Sequence, residues 1–321
     1  MTAHRIPLAL FTYNRPVHAC KLLDSLSRCR RLDEVNVIIH CDGPKTDPDR
    51  AAVDEVRALV HTRAAGLKAR VVERPRNLGL ASSIVTGVTD LCDQYGSVIV
   101  LEDDMQVAPD FLDYMIQALD RYESEPDVYQ VSAFMYPVVL PGDCDAYFLR
   151  LTTTWGWATW KRAWRVFDWR ATGAHELLAD PAMRRRFDLD GAYPYAHMLE
   201  DRLGGKNDSW GILWWWAVFQ TGGLVLHPRT SLVWVGGFDG TGTHCGPSEL
   251  NQAALDSMSQ PRLGGAIRFP ARVEVSEGVL ERIKEHLATE RAASPHAAPR
   301  QWASRLLRPL QRFGRRDRTA G

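Results

Sequence analysis

Residues 98–104 read Val-Ile-Val-Leu-Glu-Asp-Asp, four apolar residues followed at once by three carboxylates. A run that apolar is expected to form a strand buried on both faces, and acids are expelled from such a core unless its end needs them. Three adjacent carboxylates repel one another. A hard divalent cation, Mg²⁺ or Mn²⁺, resolves that repulsion if it neutralises them and bridges to a polyphosphate. Glu102, Asp103 and Asp104 are therefore the candidate metal and nucleotide site. The competing reading makes them a solvated loop favouring the N-terminus of a helix begun at Pro109 and Asp110. The apolar run in front and the helix start behind favour a strand mouth, where open parallel sheets bind ligands.

Such a mouth needs a sheet around it. Strand signals over residues 7–12, 35–41, 69–73 and 98–101 alternate with helical stretches over 16–27, 49–61 and 81–95, the first opened by Pro16 and the second by a Pro-Asp start. That alternation predicts an α/β fold, a mostly parallel sheet with helices on both faces. Right-handed crossovers bring the four strand ends to one edge. The edge would carry Tyr13-Asn14-Arg15, Asp42-Gly43-Pro44, residues 74–78 and the acidic triplet, so successive strands deliver polar groups to one crevice. From about residue 128 the pattern turns to short strands, aromatic clusters and glycine turns, with no Ser/Gly linker. The expected organisation is one lobe over 1–127, a second over 128–290 sharing its sheet, and a basic tail over 291–321.

Charge narrows the function classes. The formal net charge of zero conceals eight Arg and one Asp in residues 291–321, which leaves residues 1–290 at −7. A body of that sign is a poor nucleic-acid binder. The six cysteines show no CxxC pair and no zinc spacing, which suggests reduced thiols. The N-terminus makes a poor signal peptide, and the most apolar window, 210–226, is interrupted by Gln220, Thr221, Gly222 and Gly223. A soluble cytoplasmic protein, or one peripheral at the inner face of the membrane, is expected.

The segment Val-Leu-Glu-Asp-Asp-Met-Gln-Val-Ala-Pro-Asp-Phe-Leu-Asp-Tyr, residues 100–114, resembles the metal-site segment of inverting glycosyltransferases with the GT-A fold, family-2-like and closest to the N-acetylglucosaminyltransferase I type. The similarity extends upstream to Thr12-Tyr13-Asn14-Arg15 and Asp42, and more weakly downstream to Trp-Gly-Trp at 155–157 and to residues 240–246. It implies a GT-A-type, Rossmann-like sheet with an aromatic-rich acceptor lobe. It also implies Mn²⁺ or Mg²⁺ at Asp104, with Glu102 and Asp103 holding ribose or donor sugar. Asp42 would accept the imide N–H of uracil, although a turn role in Asp-Gly-Pro explains it equally. Arg15 would meet diphosphate oxygens with its planar fork. Thr12, Asn14, Asn77 and Gly79 would lie against the nucleotide, and His244, in a glycine-rich closing loop, would reach the diphosphate or the metal.

Inverting transfer also needs a base for the acceptor hydroxyl. Asp208, ahead of an aromatic helix, is the candidate; it also fits a helix N-cap, and Glu200 and Asp201 are rivals. Ser209 stands where the family has a second acid. Nine of the eleven tryptophans lie between 155 and 216. Trp157, Trp160 and Trp164 fall at helical spacing, as do Trp210 and Trp214, which predicts core packing, with Trp155 and Trp210 the candidates for a platform under a sugar. Arg, Trp302, Leu306, Leu310 and Phe313 in the tail could lie on anionic lipid, against the alternative of a solvated basic tail. The expected function is metal-dependent inverting transfer of a hexosyl or N-acetylhexosaminyl group from a UDP-type donor to a glycan, lipid-linked or protein acceptor, in polysaccharide or glycoconjugate biosynthesis. The alternatives are a sugar-phosphate nucleotidyltransferase and a non-catalytic carbohydrate-binding protein. The first normally places a glycine-rich loop after strand one, which residues 12–16 lack.

Overall fold

The computed structural model of the protein describes residues 5–236, 263 and 266–293. Its first half alternates β1 (Ile6–Thr12), α1 (Pro16–Leu26), β2 (Val35–Cys41), α2 (Arg50–Leu67), β3 (Arg70–Glu73), α3 (Leu80–Tyr95) and β4 (Ser97–Glu102). All four strands are parallel, ordered β3-β2-β1-β4. Near-continuous apolar sequence explains β1 and β4, whose central residues are buried on both faces. In α3, Ala81, Ile84, Val85, Val88, Leu91 and Cys92 are buried at helical spacing, so one stripe packs on the sheet and the rest stays polar.

The chain continues through β5 (Met105–Val107), α4 (Phe111–Arg121), β6 (Val128–Ser132), β7 (Ala146–Leu149), β8 (Trp157–Trp160), α5 (Lys161–Trp164), α6 (Ala174–Ala179), α7 (Pro181–Phe187), α8 (Tyr195–Leu203), α9 (Trp210–Thr221), β9 (Leu224–Pro228) and β10 (Val233–Val235). A terminal helix spans Glu277–Ala293. The sheet runs on past β4 in the order β8-β6-β9-β7, with β8 and β7 antiparallel to the other six strands. One mostly parallel sheet therefore passes through residues from both sides of position 128. A small antiparallel pair, β5 with β10, flanks the acidic triplet.

One correction to the sequence reading arises in the aromatic region. Trp157 and Trp160 lie on strand β8, not on a helix. Three residues apart on a strand, they face opposite sides of the sheet, and each enters a different core cluster. Core packing remains the role of both. Helix α9, apolar all round, is buried all round: Ile212, Leu213, Trp215 and Trp216 join one cluster while Trp210, Trp214, Ala217 and Val218 join the other. Full burial of such side chains contributes about 1.5–3 kcal/mol each, so this helix holds the two halves of the core in register. No helix among the described residues is long and apolar enough to cross a membrane.

Candidate active site

The carboxyl ends of the four parallel strands meet at one edge because the registers align there. Thr12 pairs with Cys41, Cys41 with Glu73, and Phe11 with Glu102. The Thr12 hydroxyl donates to the His40 carbonyl at 3.3 Å, pinning β1 to β2 beneath the cleft. Beyond β1, the Tyr13 amide donates to Asp103 Oδ2 at 3.1 Å. The Arg15 guanidinium lies 3.3 Å from Asp104 Oδ2 and 4.0 Å from Asp103 Oδ1. In this structure Arg15 thus engages the acids, in the position where the sequence reading expected it to meet a diphosphate. Asn14 is turned to Asp49, with Nδ2 3.4 Å from Oδ1.

One guanidinium does not balance three carboxylates. Burial pushes the Asp103 carboxyl up to about 7, and Asp104 beside it adds to the shift, against the opposing pull of Arg15 and the Tyr13 amide. Glu102 is raised well above the ordinary range by burial and then by Asp104 and Asp103. Asp104 is raised by burial, with Arg15 and His18 opposing. The site is short of positive charge, which is the condition a divalent cation relieves. Among the described residues no three His, Cys, Asp or Glu side chains are arranged to hold a metal alone. The residues therefore fit a cation whose remaining ligands come from bound phosphate or water, not a cage made by protein.

Asp42 has a role the sequence did not reveal. Its oxygens accept from the amides of Gly43 at 2.9 Å, Leu78 at 2.9 Å and Gly79 at 3.1 Å, and from the Ser83 hydroxyl at 3.5 Å. A carboxylate so surrounded shapes the pocket by fixing the 77–79 loop, and it has little capacity left for a uracil imide. Asn77 Nδ2 closes the same loop on the Gly43 carbonyl at 2.9 Å. Gly43 is required because a Cβ there would stand 2.5 Å from the Arg76 carbonyl carbon. Gly79 heads α3 at φ 78° and ψ 157°, backbone that favours glycine.

Across the cleft, Ser209 caps α9 by accepting from the Ile212 amide at 3.4 Å. Asp208 is therefore not the N-cap, and its exposed side chain lines the cleft instead. The rival acids are engaged elsewhere. Glu200 takes both guanidinium nitrogens of Arg184 at 2.6 and 3.0 Å, and Asp201 holds Lys206 at 2.7 Å.

Thr12, Asn14, Arg15, Asp42, Asn77, Gly79, Glu102, Asp103, Asp104 and Asp208 all line one cleft of about 650 Å³. His244 lies outside the described residues. Both tryptophan candidates line the cleft, Trp155 half-buried and Trp210 buried against Trp157 at 5.3 Å. Sequence reasoning missed the remainder of the far wall, including Tyr136, Tyr193, Tyr195, Met198 and Glu290. A threonine run at 152–154 ahead of Trp155 was the available signal for part of it; Glu290 gave none, being one acid among many on an amphipathic helix.

Residues 8–142 match the family described as Glycosyl transferase family 2. This stretch, under half of the chain, is similar to family-2 glycosyltransferases. It contains the whole acidic and Arg15 side of the cleft and stops short of Asp208. Among solved structures, S. aureus TarS is similar at 16% identity and TM-score 0.31, covering 40% of this chain and 21% of that chain. Its 1–349 segment is similar at 16% identity and TM-score 0.35, over 49% and 47%. Mouse xyloside xylosyltransferase 1 in its apo form is similar at 10% identity and TM-score 0.37, over 68% and 82%. The chain spans about a fifth of the length of TarS and about half of its 1–349 segment. Likenesses of this order carry no inference about substrate or mechanism.

Proposed function

We propose that the protein is a metal-dependent, inverting glycosyltransferase moving a sugar from a UDP-type donor to an acceptor hydroxyl. One observation carries the reading: the charge-deficient triplet Glu102, Asp103 and Asp104 shares a single cleft with Asp208. The family-2 match supports the sugar-transfer class, and the finer likeness to the N-acetylglucosaminyltransferase I type rests on residues 100–114. Asp104 would hold Mn²⁺ or Mg²⁺, which supplies positive charge to the leaving diphosphate. With Asp104 holding a cation, the guanidinium fork of Arg15 would be available to phosphate oxygens. Glu102 and Asp103 would accept hydrogen bonds from sugar hydroxyls. Asp208 would take the proton of the acceptor hydroxyl as it attacks the face opposite the diphosphate.

Two substitutions test the assignment. Asp104→Asn should abolish the metal dependence of UDP binding in calorimetry, since an amide cannot balance the cation. Asp208→Asn should bind UDP and Mn²⁺ as before while turnover falls roughly 10²-fold or more, the usual scale for losing a general base. Wild-type turnover in Asp208→Asn removes it as base, and unchanged metal dependence in Asp104→Asn removes the metal from this site.

A further inference from the structure

Beside the parallel strands the cleft lining carries both signs, Arg15, Lys45 and Arg74 alongside Asp42, Glu102, Asp103 and Asp104, and the three cations suit a nucleoside diphosphate. On the far side the charged lining residues among those described are Asp208 and Glu290, both acidic. Tyr193 and Tyr195 stand 4.7 Å apart there, Trp155 is braced by Phe134 at 4.6 Å, and the Tyr136 and Tyr195 hydroxyls hydrogen-bond. Glu290 comes from the terminal helix, outside the family-matched segment, and sits 3.6 Å from His286 one turn earlier. The His286 ring in turn lies 5.9 Å from Tyr136. The terminal helix is thereby tied to the aromatic wall.

A pyranose fits this mixture. Its C–H faces suit aromatic rings, and its hydroxyls suit a carboxylate and the hydroxyls of Thr152, Thr153 and Thr154, which also line the cleft. A lipid chain would meet too many hydroxyls, and an anionic acceptor would meet the carboxylates of Asp208 and Glu290, which line the same cleft. We propose that the wall formed by Tyr136, Trp155, Tyr193 and Tyr195 with Glu290 is an acceptor subsite for an uncharged sugar ring, Glu290 accepting hydrogen bonds from its hydroxyls and excluding uronate and phosphate groups. The proposal rests on the glycosyl-transfer reading and specifies its acceptor class.

The test titrates the full chain, saturated with UDP and Mn²⁺, with neutral methyl hexopyranosides, the matching methyl hexuronides and hexose 6-phosphates, followed by saturation-transfer NMR. Neutral glycosides should bind at least about tenfold more tightly than either anionic set, the scale of one unfavourable charge contact. Glu290→Lys should shrink that ratio about tenfold or reverse it, and Tyr193→Ala should weaken the neutral glycosides by roughly tenfold through loss of a ring face. A merely structural role for Glu290 would weaken all three sets together. If Glu290→Lys fails to fold, Glu290→Gln reads the same carboxylate and should narrow the ratio. Failure to take up UDP at all sinks the glycosyl-transfer reading. UDP uptake with equal or better binding of anionic sugars, with no neutral binding, or with an unmoved ratio in the Glu290 variant overturns the acceptor inference alone.

Discussion

His40 packs flat on Phe11, with ring centroids 4.9 Å apart, and both of its nitrogens are buried without a hydrogen-bond partner among the described residues. Burial, then Arg74 and Arg70, pushes its imidazole down to about 4. The native protein keeps His40 neutral where the unfolded chain, titrating near its ordinary 6.5, already binds a proton. Stability from this group is thus present above about pH 6.5 and lost as pH falls towards 4, by up to about 3 kcal/mol at 1.36 kcal/mol per unit. His40→Phe should flatten that acid limb and raise the urea midpoint at pH 5; an unchanged slope between pH 4 and 6.5 would rule out His40 as its source. Asp103 has the opposite sign. Its folded-state value of about 7 exceeds the ordinary 3.8, so its contribution is present below about pH 4 and lost as pH rises through 7. Ligand-free Asp103→Asn should be more stable than wild type at pH 8, on the order of a few kcal/mol, while losing affinity for UDP with Mn²⁺. Melting curves with and without both ligands decide this, and a variant less stable at pH 8 contradicts it.

At the scale of elements, the β3–α3 connection positions the pocket and is held by one acid and two glycines. Gly79→Ala forces a side chain into φ 78°, ψ 157° and should cost about 1–3 kcal/mol in denaturant unfolding. It should also lower UDP affinity, because the Gly79 amide helps to fix Asp42. Gly66 is the control. It sits inside α2 with nothing within 4 Å of a built Cβ, so Gly66→Ala should stabilise by roughly 0.5–1 kcal/mol and leave UDP binding alone. Equal effects at the two positions would mean that backbone conformation at residue 79 does not govern the site.

Over the whole molecule, a body of −7 carries a tail of +7. The tail, of which residues 294–321 lie outside the described ones, is proposed to contact anionic lipid. Deleting residues 295–321 should weaken sedimentation with anionic liposomes at low salt, since each basic residue at such a surface contributes about 1 kcal/mol, and added salt should erase the difference. If the full-length protein does not sediment, the membrane role is lost.

The first half of this molecule was legible because its determinants are local. Apolar runs ending in polar residues, with Pro16 at a helix start, mark β1 to β4, α1 and α3 to within a residue or so, while α2 runs on to Leu67, six residues past the expected end at 61, and parallel pairing then forces Arg15, Asp42 and Asp104 to one edge. What the side chains at that edge do depends on spatial neighbours. Asp42 is saturated by amides 36 and 37 residues away, and Arg15 is drawn to acids 89 residues on, partners that no periodicity reports. Beyond residue 128 the same limit reaches the elements. Trp157 and Trp160 look helical by spacing and are strand residues because β8 inserts antiparallel between β4 and β6. Glu290 is brought to the cleft only by docking of the helix Glu277–Ala293, since long-range packing, not local propensity, sets where that helix lies.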